Sequence, residues 1–240
     1  QILVDRHGGV VHLHERDCSV QRRHQKLIEE SPAPGLDRQV VGALAERIAQ
    51  TLQTMGYDNI GTVEMLVGLD GEFSFLEMNT RLQVEHGVTE EVTGVDLVAA
   101  QVRSAAGERL ADILPSTLPC NGHAIQARVY AEDPKRFFPS PGRLEVFVPP
   151  SDPDVRVECG YDQGQDVTPH YDPLLAKVIV HAATRGEAID RLMKALRAFR
   201  IEGVRNNVPA LLEILDSPEF RAGDVHTGLL ADVMKQAVRA

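Results

Sequence analysis

Two strand-like runs, Ile60 to Val67 and Glu72 to Asn79, flank the dipeptide Asp70-Gly71, which favours a two-residue hairpin turn. A hairpin closed there pairs Leu69 with Glu72, and counting back along both strands sets Glu64 opposite Glu77. The two-residue side-chain period puts Asn79 on the same face as Glu77, so two carboxylates and an amide oxygen converge on one patch. At roughly 5 Å and an effective dielectric near 20 the two acids repel by on the order of 3 kcal/mol. A cation between them removes that cost. Mg²⁺ takes oxygen ligands, keeps several waters and is commonly shared between one or two carboxylates and substrate phosphates. A solvated hairpin face, with one acid protonated or paired with a lysine, also fits two acids alone.

The residues after the hairpin favour the cation. Arg81 comes two residues after Asn79, and Gln83, Val84 and Glu85 then enter a loop whose backbone amides are expected to be open to a ligand. An arginine and a carboxylate beside a metal suit the recognition and deprotonation of a small oxyanion. The cluster Arg22-Arg23-His24-Gln25-Lys26 can add positive charge, although such clusters are most often solvated surface. Together these residues fit metal- and nucleotide-dependent activation of a carboxylate-like anion by phosphorylation, a reaction of positioning and charge neutralisation.

Composition narrows the setting. The chain has 240 residues, 43% of them hydrophobic, enough for a substantial core. Its net charge of −10 argues against non-specific nucleic-acid binding and against docking on an anionic membrane. No apolar run approaches about 18 residues and no signal-peptide pattern is present. The three cysteines, Cys18, Cys120 and Cys159, lie far apart with no zinc-like spacing, which suggests a reducing compartment. His12 and His14 share a strand face, but no third ligand accompanies them and a surface pair is the simpler reading. The chain opens at Gln1 directly into Ile2-Leu3-Val4, as though cut from something longer.

The expected fold class is α+β, a largely antiparallel sheet flanked by helices. Strands are predicted at Gln1 to Asp5 and Val10 to His14, then an irregular polar segment up to Pro34-Gly35. A helix comes next, capped by Asp37 and ended by Gly56. After the hairpin and the Arg81 to His86 loop, the next predicted helix starts near Asp96 and stops at Gly107. Further strands are expected at His123 to Tyr130, Arg143 to Val148, Val155 to Glu158 and Leu174 to His181. Helices are expected at Arg185 to Phe199, where Thr184 and Glu187 form a capping box, at Val208 to Leu215 and at Gly228 to Val238. Residues 108 to 121 are the best internal boundary, so segments 1–112 and 120–240 are expected to pack together as one structural domain.

The block Phe75-Leu76-Glu77-Met78-Asn79-Thr80-Arg81-Leu82-Gln83-Val84-Glu85-His86 resembles the biotin carboxylase family of ATP-grasp enzymes. So do Glu15 to Lys26, Ala127 to Pro134, Pro139 to Gly142, Tyr171-Asp172-Pro173 and Gly203 to Asn207, in the family's order. The resemblance implies that Glu64, Glu77 and Asn79 bind the Mg²⁺ ions, or Mn²⁺ in their place, that bridge the ATP phosphates. It implies that Lys26 and Arg81 hold bicarbonate and the transferred phosphoryl, that Gln83 and the Val84 backbone orient bicarbonate, and that Glu85 is the base that deprotonates it. Carboxyphosphate is the implied intermediate. Arg128 would stabilise the biotin enolate, and His24 would lie near the nucleotide ribose. By pattern alone Arg128 alternates with apolar Ile125, Ala127 and Val129, an ordinary exposed strand arginine. Gly87 replaces the family's usual proline after His86, which puts the rigidity of that loop in doubt.

The family's amino-terminal and glycine-rich lid domains would precede Gln1, so this stretch corresponds to the carboxyl-terminal region and by itself should bind ATP weakly and turn over little. The implied partners are bicarbonate, a biotinylated carrier domain, a carboxyltransferase and a second copy of the chain. No biotin-bearing Met-Lys segment is present. The implied location is the bacterial cytoplasm or an organellar matrix, and no targeting segment is visible. Two alternatives remain open: another ATP-grasp ligase such as a carbamoyl-phosphate synthetase, and a self-association module without catalysis.

Overall fold

Apolar side chains point both ways from Ile2-Leu3-Val4. Ile2 and Val4 bury with Ala49 and Leu52, whereas Leu3 buries with Leu13, Ile60, Val95, Leu97, Ala100 and Leu110. A strand that is apolar on both faces must be covered on both. The computed structural model describes residues 1–237. In chain order it contains β1 (Ile2–Val4), β2 (Val10–His12), β3 (Asp17–Arg22), β4 (Gln25–Ser31), α1 (Arg38–Thr54), β5 (Asn59–Val67), β6 (Phe73–Asn79), α2 (His86–Thr93), α3 (Leu97–Ala105) and α4 (Leu110–Ile113). Next come β7 (His123–Tyr130), β8 (Gly142–Arg143), β9 (Val146–Val148), β10 (Val155–Cys159), β11 (Asp166–Val167), β12 (Leu174–Ala182), α5 (Arg185–Ala198), β13 (Arg200–Glu202), α6 (Val208–Asp216), α7 (Pro218–Ala222) and α8 (Leu229–Ala237). The fold class is therefore α+β with antiparallel sheets, as expected. Val238 of the last predicted helix lies outside the described residues.

The elements form two compact units, one made of Gln1–Arg16 with Ser31–Asn121, the other of Asp17–Glu30 with the chain from Gly122 onward. The first is built on a sheet of order β2-β1-β5-β6. Residues of α1 cover one face of β1 and residues of α3 and α4 the other. Asp37 caps α1 by accepting from the Gln39 and Val40 N–H groups. The second unit has a five-stranded sheet of order β10-β12-β7-β4-β3, and its main core joins β7 and β12 to α5, α6 and α8. The Thr184–Glu187 capping box forms at the start of α5.

The structure departs from the sequence reading in several elements of the fold. The segment expected to be irregular contains the β3–β4 hairpin, closed by Arg23 and His24 with φ of 48° and 68°. That conformation normally advertises itself as Asn-Gly, and here it does not. Helix α2 has a β-branched sequence with a glycine, of poor intrinsic propensity, yet seven of its residues are buried, so tertiary packing decides. The single strand expected at Arg143 to Val148 divides. Leu144 N–H donates to Gln165 and Glu145 N–H to Glu202, so the backbone changes partners and β8 pairs with β11 while β9 pairs with β13. Finally, every residue of β7 is buried, so Arg128 is not the exposed arginine that alternation suggests.

Candidate functional site

Glu64 and Glu77 stand directly opposite each other on β5 and β6. The predicted two-residue turn is not the reason. The loop closes through Gly68 N–H to Glu72 O and Gly71 N–H to Gly68 O, so Gly68 faces Glu72 and Leu69 joins the turn. Pairing then runs Val67 with Phe73 and Met65 with Phe75, one step out of the expected register. A bulge at Leu76 restores it, and Glu64 meets Glu77.

Neutral amides sit between the acids. Asn79 Nδ2 donates to Glu64 Oε1 at 3.2 Å and to Glu77 Oε1 at 3.0 Å, and Gln83 Nε2 donates to Glu64 Oε1 at 2.6 Å. Arg81 reaches back through Nη2 to Asn79 Oδ1 at 3.3 Å and through Nη1 to Leu82 O at 3.2 Å. Among the described residues no group of three or more His, Cys, Asp or Glu side chains gathers as a metal site. The two carboxylates are hard oxygen ligands that fit an ion completing its shell with water and phosphate, whereas Asn79, expected to add its amide oxygen, turns its NH₂ to the acids and its Oδ1 to Arg81.

The loop beyond is ordered by its own contacts. Gln83 is 4% exposed and Glu85 3%, while Val84 is 38% exposed. Glu85 occupies the N-cap position of α2 without a side-chain bond to the first turn, where a carboxylate is favoured by the positive end of the helix. His86 Nδ1 bonds to Gln83 O at 2.8 Å, and Gly87 is buried inside α2. The loop is therefore pinned at His86 with glycine in the next position.

The second unit holds the other predicted residues. His24 is exposed at the tip of the β3–β4 turn, and Lys26 lies on β4 opposite Gln21. Arg22, read as part of a solvated cluster, instead binds Glu132 through both guanidinium ends at 2.7 and 2.9 Å and lies 4.9 Å over the Phe137 ring. Arg128 donates from Nε to Glu29 Oε1 at 2.5 Å, and Gln126 Nε2 donates to Glu29 Oε2 at 2.9 Å. Opposite Arg128 on β12 stands Lys177, which pairs with Glu158 at 2.5 Å. Burial pushes the Tyr130 phenol up, against the opposing pull of Arg128 and Gln25.

Within the first unit the structure brings Glu64, Glu77, Asn79, Arg81 and Gln83 into one hydrogen-bonded group, with Val84 and Glu85 next in the chain. Within the second it sets Arg128 against Glu29. His12 and His14 stack edge to face with ring centres 5.6 Å apart and are half-buried, not a surface pair. Burial, with the neighbouring His14, depresses the His12 pKa. Sequence reasoning missed Glu29 and Glu132, the acids that receive Arg128 and Arg22. The one signal for Glu29 is an acidic pair, Glu29-Glu30, coming after Leu27-Ile28 inside a strand.

Two family models divide the chain. Residues 1–113 match the carbamoyl-phosphate synthase L chain, ATP binding domain, and residues 126–232 match the biotin carboxylase C-terminal domain. The biotin carboxylase of Halalkalibacterium halodurans is 50% identical over 98% of this chain and 52% of its own length. The mitochondrial methylcrotonoyl-CoA carboxylase subunit alpha of Rattus norvegicus is 47% identical over 96% of this chain and 32% of its own. Among solved structures, the biotin carboxylase domain dimer of Hydrogenobacter thermophilus 2-oxoglutarate carboxylase, in complex with MgADP, ADP and bicarbonate, superposes with a TM-score of 0.93. It is 41% identical, over 97% of this chain and 52% of that one. The chain spans about half the length of the curated biotin carboxylase it matches.

Proposed function

This chain belongs to the biotin carboxylase family, and we propose that in its parent protein it supplies the metal- and bicarbonate-binding groups for ATP-dependent carboxylation of biotin. The observation that carries this reading is the hairpin, where Glu64 faces Glu77 with Asn79 hydrogen-bonded to both, at the entrance to a loop that buries Gln83 and Glu85. Glu64 and Glu77, with Asn79 once its amide turns its oxygen toward the ion, would hold Mg²⁺, which would neutralise the phosphate oxygens of ATP. Arg81 and Lys26 balance the charge of bicarbonate and of the phosphoryl group in transfer. Gln83 and the Val84 backbone orient bicarbonate, and Glu85 accepts its proton as the oxygen attacks the γ-phosphate. Carboxyphosphate forms with ADP leaving, then breaks down to CO₂ and phosphate. Arg128 would steady negative charge on the ureido oxygen of biotin as the ureido N–H gives its proton to the released phosphate and the nitrogen takes up CO₂, and His24 would contact the nucleotide ribose.

The first model is named for a carbamoyl-phosphate synthase, but the second is named for biotin carboxylase and the biotin carboxylase match runs across both, which weighs against that alternative. The proposed partners are a biotinylated carrier and a carboxyltransferase. A second copy is a further candidate, since the Hydrogenobacter domain is described as a dimer. The test is ATP cleavage by the parent protein that requires both bicarbonate and biotin. Changing Glu85 to Gln should lower it by about 10²- to 10⁴-fold, the usual weight of a general base. Glu77→Ala and Arg128→Ala should abolish it. Persistence in either alanine variant would overturn the assignment of that residue.

A further inference from the structure

Arg16, between β2 and β3, is a half-buried cation that makes four side-chain hydrogen bonds, all to neutral oxygens. Nη1 donates to Gln1 Oε1 and Thr89 Oγ1, both at 2.9 Å, and Nη2 to Thr62 Oγ1 at 3.2 Å and Gln83 Oε1 at 2.8 Å. Among the described residues no carboxylate pairs with it. A guanidinium stays charged in any protein, and removing it from bulk water without a counter-ion is costly, so an arginine is a poor choice where only a spacer is needed. What distinguishes the position is where its bonds lead.

Thr62 precedes Glu64 by two residues on β5 and so shares its face. Thr89 lies on α2, whose N-cap is Glu85. Gln83 has both ends of its amide engaged: Oε1 accepts from Arg16, and Nε2 donates to Glu64 at 2.6 Å. One guanidinium thus ties the strand of one proposed metal ligand, the loop of the proposed bicarbonate group and the helix of the proposed base. It also fixes which end of the Gln83 amide points at the reacting groups.

We propose that Arg16 is a positioning residue for the carboxylation site, clamping the Gln83 amide with its NH₂ turned toward Glu64 and setting the spacing between β5 and the start of α2. It touches no substrate. This rests on the function proposed above. A fork of fixed geometry holds several oxygens at once and a lysine ammonium cannot reproduce it, so Arg16→Lys is not a conservative change here.

The experiment uses the full-length parent carrying Arg16→Lys, Arg16→Gln or Thr89→Val. In both Arg16 variants kcat should fall about 10- to 100-fold, the usual effect of losing a partner that orients a ligand. The bicarbonate KM should rise and the MgATP KM stay within about twofold of wild type. Thr89→Val, which keeps the guanidinium and removes one anchor, should move the same constants in the same direction by less. A second readout is independent of turnover. With glutamine side-chain amides labelled, the Gln83 NH₂ protons should exchange slowly with solvent in wild type and rapidly in both Arg16 variants. Unchanged constants with slow Gln83 exchange would overturn the proposal. So would a variant that only lowers the melting temperature and keeps wild-type kinetics below it. If neither Arg16 variant folds, Thr89→Val decides between the same two outcomes. A wild-type parent that cleaves ATP without regard to bicarbonate would overturn the carboxylation reading instead, and the Gln83 exchange rate then decides the clamp by itself.

Discussion

The two units handle buried and crowded charge in opposite ways. In the hairpin of the first, like charges face each other, with the neutral amide of Asn79 bonded to both acids and that of Gln83 to Glu64. In the sheet of the second, opposite charges are matched at close range, Arg128 with Glu29 and Lys177 with Glu158. An amide offsets only part of a carboxylate pair's repulsion, so the first arrangement keeps an appetite for a cation. A buried ion pair is already neutral and gains its importance from what happens when one partner goes. The same residue type, glutamate, is therefore a ligand in waiting in one unit and a structural counter-ion in the other.

Removing one carboxylate from each region puts this contrast to its most severe test. Glu29 is fully buried, and Glu29→Ala leaves the Arg128 guanidinium without that acid. The expected loss is about 3–5 kcal/mol of unfolding free energy, read from urea denaturation. Glu77→Gln relieves a directly opposed pair, so stability should hold or rise by up to about 1 kcal/mol. Equal losses in the two variants would break the comparison.

Magnesium sharpens it from the other side. An ion that binds only the folded hairpin should stabilise the chain by about 1.4 kcal/mol at tenfold its Kd, and the gain should vanish in Glu64→Gln/Glu77→Gln. Thermal melts across a magnesium series measure it. The Glu29 site, already matched by Arg128 and Gln126, should show no such response. A magnesium gain that survives the double substitution would remove the ion from the hairpin.

How far these features were legible in the sequence depended on where tertiary contacts intervened. The α1 and α5 caps, the β7 and β12 strands and the family blocks all express local rules, and they could be read. The Glu64–Glu77 pairing was read correctly through an incorrect turn: the loop is longer than expected by one register step and the bulge at Leu76 cancels the shift. Bulges leave little trace in residue type, so the agreement owed something to cancellation. The β3–β4 hairpin turns on two non-glycine residues with positive φ, and α2 is held by burial against its own propensity. Arg128 misled because alternation assumes one wet face, whereas β7 is buried along its whole length. Its partner Glu29 lies at a separation of 99 residues in the chain, where no spacing rule applies.

The smallest effect concerns an ion pair between these two extremes. Glu15 accepts from Arg38 through both oxygens and from the Ala33 N–H, in the same unit as the acid hairpin, with its side chain 20% exposed. Burial raises its pKa, but the Arg38 hydrogen bond and charge together with the Ala33 N–H outweigh burial and hold it below the ordinary value of 4.5. A carboxyl depressed on folding contributes its stability in full above that ordinary value, and the contribution fades as pH falls through the lower folded value. Glu15→Gln should therefore cost roughly 1 kcal/mol at pH 7, the upper range for a pair this accessible. The gap to wild type should close in acid, as urea melts at a series of pH values below 4.5 would show. A gap that stayed constant into acid would mean the neutral hydrogen bonds at Glu15 matter more than its charge. Matched charge would then be a weaker organising force in the first unit than the sheet of the second implies.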